Sequence, residues 1–381
     1  MLFVKLSTFY LFYFALLGVM APYMGLYFES RGLSLTEIGQ LSAILMLTKV
    51  FAPNIWAEVA DRIGHRLFIV RLGALLSLLS FTSFFFAEKF WQFAVIIFAY
   101  SFFWNAILAQ YEVITLNNLG GQLHRYSQVR LWGSVGFILA VLICGWLFDV
   151  LTISLFPWML LLAICGIVWA SFFSLAEPTI QAEHRGKTAS IFQLVTRPYA
   201  AIFFGVCLLL QISHGAYYTY FSIYMEALGY SESDIGLFWA LGVAAEVAIF
   251  VVMHRWQAKH SVVQIMLIAL LLTAVRWCLI GVWSESLGIL ILAQCLHAMS
   301  FGAMHAAAIH FVHERFSAHE QGKAQALYSS LSFGLGGAIG AIVSAFVVVR
   351  YGYASAFLFS ALVSFSAYVV LALARKYKIL H

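Results

Sequence analysis

The chain has 381 residues, of which 63% are hydrophobic and 10% charged, and it carries a formal net charge of +5. A soluble domain of that length needs far more charge to cover its surface, so composition excludes an ordinary water-soluble globule. Only helices and closed barrels satisfy their backbone groups in lipid, and the apolar runs lack the short alternation of barrel strands, so the predicted fold class is an all-α membrane protein.

Hydropathy predicts twelve transmembrane helices, at 7–28, 36–58, 67–87, 91–116, 129–149, 153–176, 199–226, 234–253, 262–283, 287–312, 323–349 and 353–374. No small-residue cleavage pattern follows the first, and Pro22, Tyr23 and Tyr27 continue it, so it is expected to be an uncleaved span. With these spans, and with Arg71 and Lys323 near the span ends counted with the adjoining loops, all but six of the 21 Lys and Arg residues fall on the side of the termini and even-numbered loops. Arg31, Lys89 and Arg350 lie opposite, and Lys49, Arg130 and Arg276 lie inside spans. The positive-inside rule makes the rich side, with both termini, cytoplasmic. Orientation thus explains the basic balance, and no nucleic-acid partner is expected.

The polar stretch from Glu177 to Arg197 reads as a cytoplasmic linker. It divides the chain into a six-helix bundle at 1–176, a linker at 177–198 and a second six-helix bundle at 199–381. An internal repeat supports the division. Tyr27, Glu29, Gly32, Ile38 and Gly39 return 197 positions later as Tyr224, Glu226, Gly229, Ile235 and Gly236. The same offset carries Gly18 to Gly215, Tyr23 to Tyr220 and Gln128 to Gln325. Parallel six-helix halves of this kind are a transporter architecture, with the substrate site at mid-depth. Glycines such as Gly133, Gly136, Gly336 and Gly340 are expected to serve close helix packing.

Charge in hydrocarbon costs several kcal/mol and marks a pathway, a proton relay or a structural bridge. The candidates within spans are Lys49, Glu112, Arg130, Glu246 and Arg276, joined by His214, His297 and His305 and by Gln211 and Gln294. Gln211, His214 and Tyr218 share one helix face, Gln294, His297 and Phe301 a second, and Trp239, Gly242 and Glu246 a third. Lys49 and Glu246 are repeat equivalents of opposite sign, which suggests an ion pair that is permanent or changes partners. Histidine and a desolvated carboxylate both titrate near neutrality, so Glu246, Arg276 and His297 read as a proton-coupling group, with His305 and Lys49 as further candidates. His214 and Tyr218 read as lining a cavity.

The five cysteines all lie in spans without a CxxC pair, so neither disulfides nor a zinc site are expected. The run His305 to Glu314 is not HExxH, and a catalytic metal is not expected either. The chain is read as a non-enzyme without a resident cofactor, with protons as coupling ion. Its expected partners are a small-molecule substrate and membrane lipid, and a monomer is expected.

The loop Ala57-Glu-Val-Ala-Asp61-Arg62-Ile-Gly64-His65-Arg66 resembles the signature of the major facilitator superfamily. That resemblance implies a gating or structural role for Asp61, Arg62, Gly64 and Arg66, although Ala57 and His65 depart from the pattern. The stretch Tyr126-Ser-Gln-Val-Arg130-Leu-Trp132-Gly133-Ser-Val-Gly136-Phe137, with Glu112 upstream, resembles the proton symporters of the lactose permease group. It is still more similar to the related 3-phenylpropionate permease branch, through His214-Gly-Ala-Tyr-Tyr218, Ala244-Ala-Glu246-Val and the His297 to His305 spacing. The resemblance implies that Glu112 and Arg130 hold substrate and that Glu246, Arg276 and His297 couple protons. Two departures count against a sugar: Ser300 replaces an acid of that group, and Phe137 replaces its ring-stacking Trp. Arg130 offers a forked donor to a carboxylate, and Trp104, Trp132 and Phe137 offer ring surfaces. The expected function is proton-coupled import of an aromatic carboxylate such as 3-phenylpropionate, at a bacterial inner membrane. Import of a sugar or nucleoside, proton-driven efflux and a non-transporting solute sensor are the alternatives.

Overall fold

An apolar chain in lipid must pair its own backbone groups, and here it does so in helices. The computed structural model describes residues 2–120, 122–173 and 190–379, and no strand occurs among them. Ten runs are long and apolar enough to cross a bilayer singly. They are α1 (Leu2–Ser30), α2 (Leu35–Ile63), α3 (Arg66–Phe86), α4 (Phe90–Asn118), α5 (Arg125–Val150), α6 (Ile153–Phe173), α7 (Pro198–Ala227), α8 (Glu232–Gln257), α9 (Val262–Trp283) and α10 (Leu287–Arg315). One further run, Ala318–Lys376, has 59 residues. At 1.5 Å per residue it would reach roughly 88 Å, about three times the hydrocarbon thickness. Gly352, with φ 84° and ψ 169°, divides it into α11 (318–351) and α12 (353–376). Twelve passes result, as hydropathy predicts. The predicted linker at 177–198 lies outside the described residues up to position 189.

The internal repeat is visible in the backbone. Gly32 and Gly229 both take left-handed φ, at 79° and 88°. Each donates its N–H three residues back, to Glu29 at 2.8 Å and Glu226 at 2.9 Å. The next helix then starts on a reciprocal cap. Ser34 and Glu37 exchange side-chain to backbone bonds at the start of α2. Ser231 and Asp234, each 197 positions on, do the same at the start of α8. Because the left-handed region costs other residues about 1–2 kcal/mol, Gly32→Ala and Gly229→Ala should each lower stability by about that amount. Thermal melting of the detergent-solubilised protein checks this, and unchanged melting in both would contradict it.

The chain forms two compact units. The first comprises Met1–Gln181 with Phe221–Ala240, and the second Ala182–Tyr220 with Leu241–His381. In the first, α1 crosses α5 so closely that a Cβ on Gly18 would strike the carbonyl of Phe137. Tyr23 donates its hydroxyl to the carbonyl of Val141 at 2.7 Å. Asp149, near the end of α5, accepts the backbone N–H groups of Glu232 (3.0 Å) and Ser233 (3.2 Å), so a carboxylate caps the positive end of α8. In the second unit, α7 crosses α11 where Gly215 meets the backbone of Gly340. Gly215 is the repeat equivalent of Gly18, so the two units use the same position for a close helix crossing. Arg197, just before α7, clasps Glu320 in two bonds of 2.7 and 3.1 Å. Large apolar side chains such as Phe86, Trp91 and Leu79 remain exposed, as a lipid-facing surface requires.

Candidate functional site

The signature loop joins α2 to α3. Gly64 ends α2 in the left-handed region (φ 76°), with its N–H bonded to the Ala60 carbonyl at 2.9 Å, and so turns the chain within three residues. Arg66 pairs with Asp61 and also donates to Gln110 of α4, which is buried. Arg62 pairs with Glu58 one turn back on the exposed side. Asp61 and Arg66 therefore tie the α2–α3 hairpin to α4, and Gln110 is a partner that the motif alone does not reveal.

Glu112 on α4 and Arg130 on α5 are brought together in the first unit, Oε1 to Nε 4.0 Å, with side chains 35% and 33% exposed. Tyr126 donates its hydroxyl to Glu112 at 3.2 Å. The Arg130 guanidinium lies 3.8 Å from the ring centre of Phe14 and 5.7 Å from that of Tyr10, both on α1, so its charge rests on aromatic faces. Trp104 stacks on Tyr13 at 5.3 Å and Tyr100 at 6.1 Å. Its indole N–H and the Tyr100 hydroxyl are buried without a hydrogen-bond partner among the described residues. Phe137 is buried, with its carbonyl against Gly18, and Trp132 is 41% exposed. The rings against Arg130 are thus Phe14 and Tyr10 of α1. Sequence reasoning missed them, because a helix crossing sets that contact and no local spacing does. Lys49 on α2 is half-buried, with Nζ 3.6 Å from Sδ of Met46.

The second unit gathers Arg276 of α9, fully buried, with residues of α8 and α10. Its Nε donates to the Ala293 carbonyl at 2.9 Å, Nη2 to Gln294 at 3.3 Å, and Nη1 to Ser300 at 2.9 Å and His297 Nδ1 at 3.0 Å. A guanidinium only donates, so His297 Nδ1 accepts and the ring carries its hydrogen on Nε2. That Nε2 faces Glu246 Oε2 at 3.7 Å. Arg276 also lies over the rings of Tyr217 (4.3 Å) and Trp277 (4.4 Å). The backbone of α10 is π-helical over Ala298–Ala303, a distortion often found at functional positions. There Gly302 leaves room for Glu246, since a Cβ would lie 3.1 Å from Glu246 Cγ. The rings of His297, Phe301 and His305 form a parallel ladder at 5.6 and 5.9 Å, and His305 Nδ1 lies 3.0 Å from the Tyr328 hydroxyl. His214 is buried, edge-on to Trp277 at 5.0 Å and stacked near Tyr218, itself half-buried, at 5.8 Å.

A family model described as "MFS_1 like family" matches residues 3–359. The "Probable 3-phenylpropionic acid transporter" of Escherichia coli (strain K12) is 29% identical over 358 residues, 90% of each chain. The "Maltose permease" of Geobacillus stearothermophilus is 24% identical over 380 residues, covering 97% of this chain and 94% of that one. A crystal structure of the nucleoside transporter NupG matches with a TM-score of 0.82 over 99% of both chains at 18% identity, a likeness of fold. These likenesses spread over several solute classes and do not single out the lactose permease group. Members of the family move solutes and are not enzymes. With a matching family model over nearly the whole length and twelve helical passes, the chain belongs to the MFS_1 like family of the major facilitator superfamily, a bacterial multi-pass inner-membrane protein that transports a small molecule.

Proposed function

We propose that the chain is a proton-coupled symporter importing a neutral, hydroxyl-bearing ring solute, of the sugar or nucleoside class, by alternating access. The observation that carries this reading is the Glu112–Arg130 pair, which is half-exposed and whose charges cancel. It offers acceptors and forked donors within one side-chain length, beside the rings of Phe14 and Tyr10. A neutral ring with hydroxyl groups uses both partners. A carboxylate would use Arg130 but meet Glu112, and like charges that close cost several kcal/mol.

In this reading Glu246 carries the proton. His297, held as the neutral Nε2–H form by Arg276, orients and stabilises the Glu246 carboxylate. Solute and proton load from outside, and only the doubly loaded or the empty carrier reorients. Lys49 and His305 are reserve candidates for the proton path, and Asp61, Arg62, Gly64 and Arg66 for gating.

A second reading, an aromatic carboxylate, is favoured by the similarity to the probable 3-phenylpropionic acid transporter of Escherichia coli. Thermal-shift measurements with maltose, uridine and 3-phenylpropionate on the purified protein separate the two. A shift with either hydroxylated probe is expected. A shift with 3-phenylpropionate alone would transfer the assignment to the second reading.

A further inference from the structure

The partners of two buried side chains in the second unit fix which of their atoms donate and which accept. Gln294 is 0% exposed, and its Oε1 accepts from the Tyr217 hydroxyl (3.0 Å) and Arg276 Nη2 (3.3 Å). A guanidinium cannot accept, so the amide cannot be turned over, and its NH2 points away from both donors. That nitrogen is buried without a hydrogen-bond partner among the described residues. His214 is 1% exposed, and its Nδ1 lies 2.9 Å from the carbonyl of Leu210. A carbonyl only accepts, so Nδ1 carries the hydrogen and Nε2 of the neutral ring is a bare acceptor. It too is buried and without a partner among the described residues.

One donor and one acceptor therefore stand unmatched in the same cluster. Tyr217, which donates to Gln294, has its ring 5.6 Å from that of Trp277, and the His214 ring meets Trp277 at 5.0 Å. Buried polar groups are nearly always matched, so each such group asks for an explanation. Water could match them in one conformation; a transporter has a reason to leave them for its cargo, because a match made only by the right solute discriminates strongly.

We propose that Gln294 Nε2 and His214 Nε2 are the hydroxyl-reading pair of the second unit, engaged when the solute enters. A hydroxyl both accepts from an amide N–H and donates to a bare imidazole nitrogen. A carboxylate only accepts and would face His214 lone pair to lone pair, and an ammonium only donates and would leave the Gln294 NH2 unmatched. The pair rests on the reading of a neutral hydroxyl-bearing solute and deepens it, by naming specificity residues within the second unit.

The test uses the full-length purified protein with uridine, maltose and 2′,3′-dideoxyuridine, a probe depleted of ribose hydroxyls. His214→Phe keeps a ring on Trp277 and removes the acceptor. Gln294→Glu keeps the oxygen that Tyr217 and Arg276 use and removes the donor. Each is expected to weaken uridine or maltose binding roughly tenfold or more. The preference for uridine over its dideoxy counterpart, measured within each variant, should collapse towards one. That ratio does not depend on how stable a variant is. An unchanged ratio in both variants, while Arg130→Lys still weakens the hydroxylated probes, would overturn the pair and leave the solute reading standing. Binding of 3-phenylpropionate with neither hydroxylated probe, or no binding by either hydroxylated probe, would overturn both.

Discussion

Glu246→Gln is expected to abolish uphill accumulation while leaving exchange of labelled solute across the membrane close to the wild-type rate. The amide keeps the shape and a carbonyl oxygen facing His297 Nε2, where the two side chains now stand 3.7 Å apart, but it cannot take up or release a proton. A carrier permanently in the neutral form can return loaded and exchange solute, yet has no ion gradient to draw on. With one proton per solute, a pH gradient of one unit supports about tenfold accumulation, and the variant should fall to unity. His297 should behave differently. Because Arg276 Nη1 donates to its Nδ1, a second proton on His297 would break a buried hydrogen bond. His297→Gln should therefore impair accumulation less completely than Glu246→Gln. Full accumulation in Glu246→Gln would remove that residue as the carrier.

Arg130→Lys is expected to weaken solute binding by about 10- to 100-fold, from the roughly 1.5–3 kcal/mol that a charge-assisted bond contributes. Lysine keeps the charge and loses the planar fork, and with it the stacking on Phe14 at 3.8 Å. The substituted ammonium can still balance Glu112, so folding should be little affected. Equilibrium binding of whichever probe stabilises the wild type reads the loss. Unchanged affinity would take Arg130 out of the site, and Glu112 with it.

Much of the fold could be read from residue types because lipid imposes a simple rule: the backbone must be paired within each pass. The repeat was legible for a similarly local reason. Gly32, Ser34 and Glu37 perform a turn and a cap within six residues, and Gly229, Ser231 and Asp234 perform the same ones. The candidate charges were legible because each is costly in hydrocarbon and thus rare.

What stayed hidden depends on how helices cross. Phe14 and Tyr10 are two among many aromatics in a chain that is 17% aromatic, and nothing in their spacing marks them as the faces that receive Arg130. Trp132 sits one turn from Gly136 and is 41% exposed, and its neighbours in sequence do not tell which way its ring faces. The π-helical stretches at Ala298–Ala303 and Ser330–Gly336 shift the bonding pattern without demanding a residue type, so composition does not announce them. Tyr217 lies beside the already conspicuous His214 and Tyr218, but its value lies in a bond to Gln294, 77 residues away in sequence.

Coupling is tested most directly by recording proton movement with an external pH electrode, in lightly buffered proteoliposomes, when a solute that binds is added outside without any imposed gradient. The expected record is an alkaline shift outside, collapsed by a protonophore and missing in Glu246→Gln. Solute uptake with no accompanying pH change, or an acid shift that signals exchange in the opposite sense, would contradict a symporter built around Glu246.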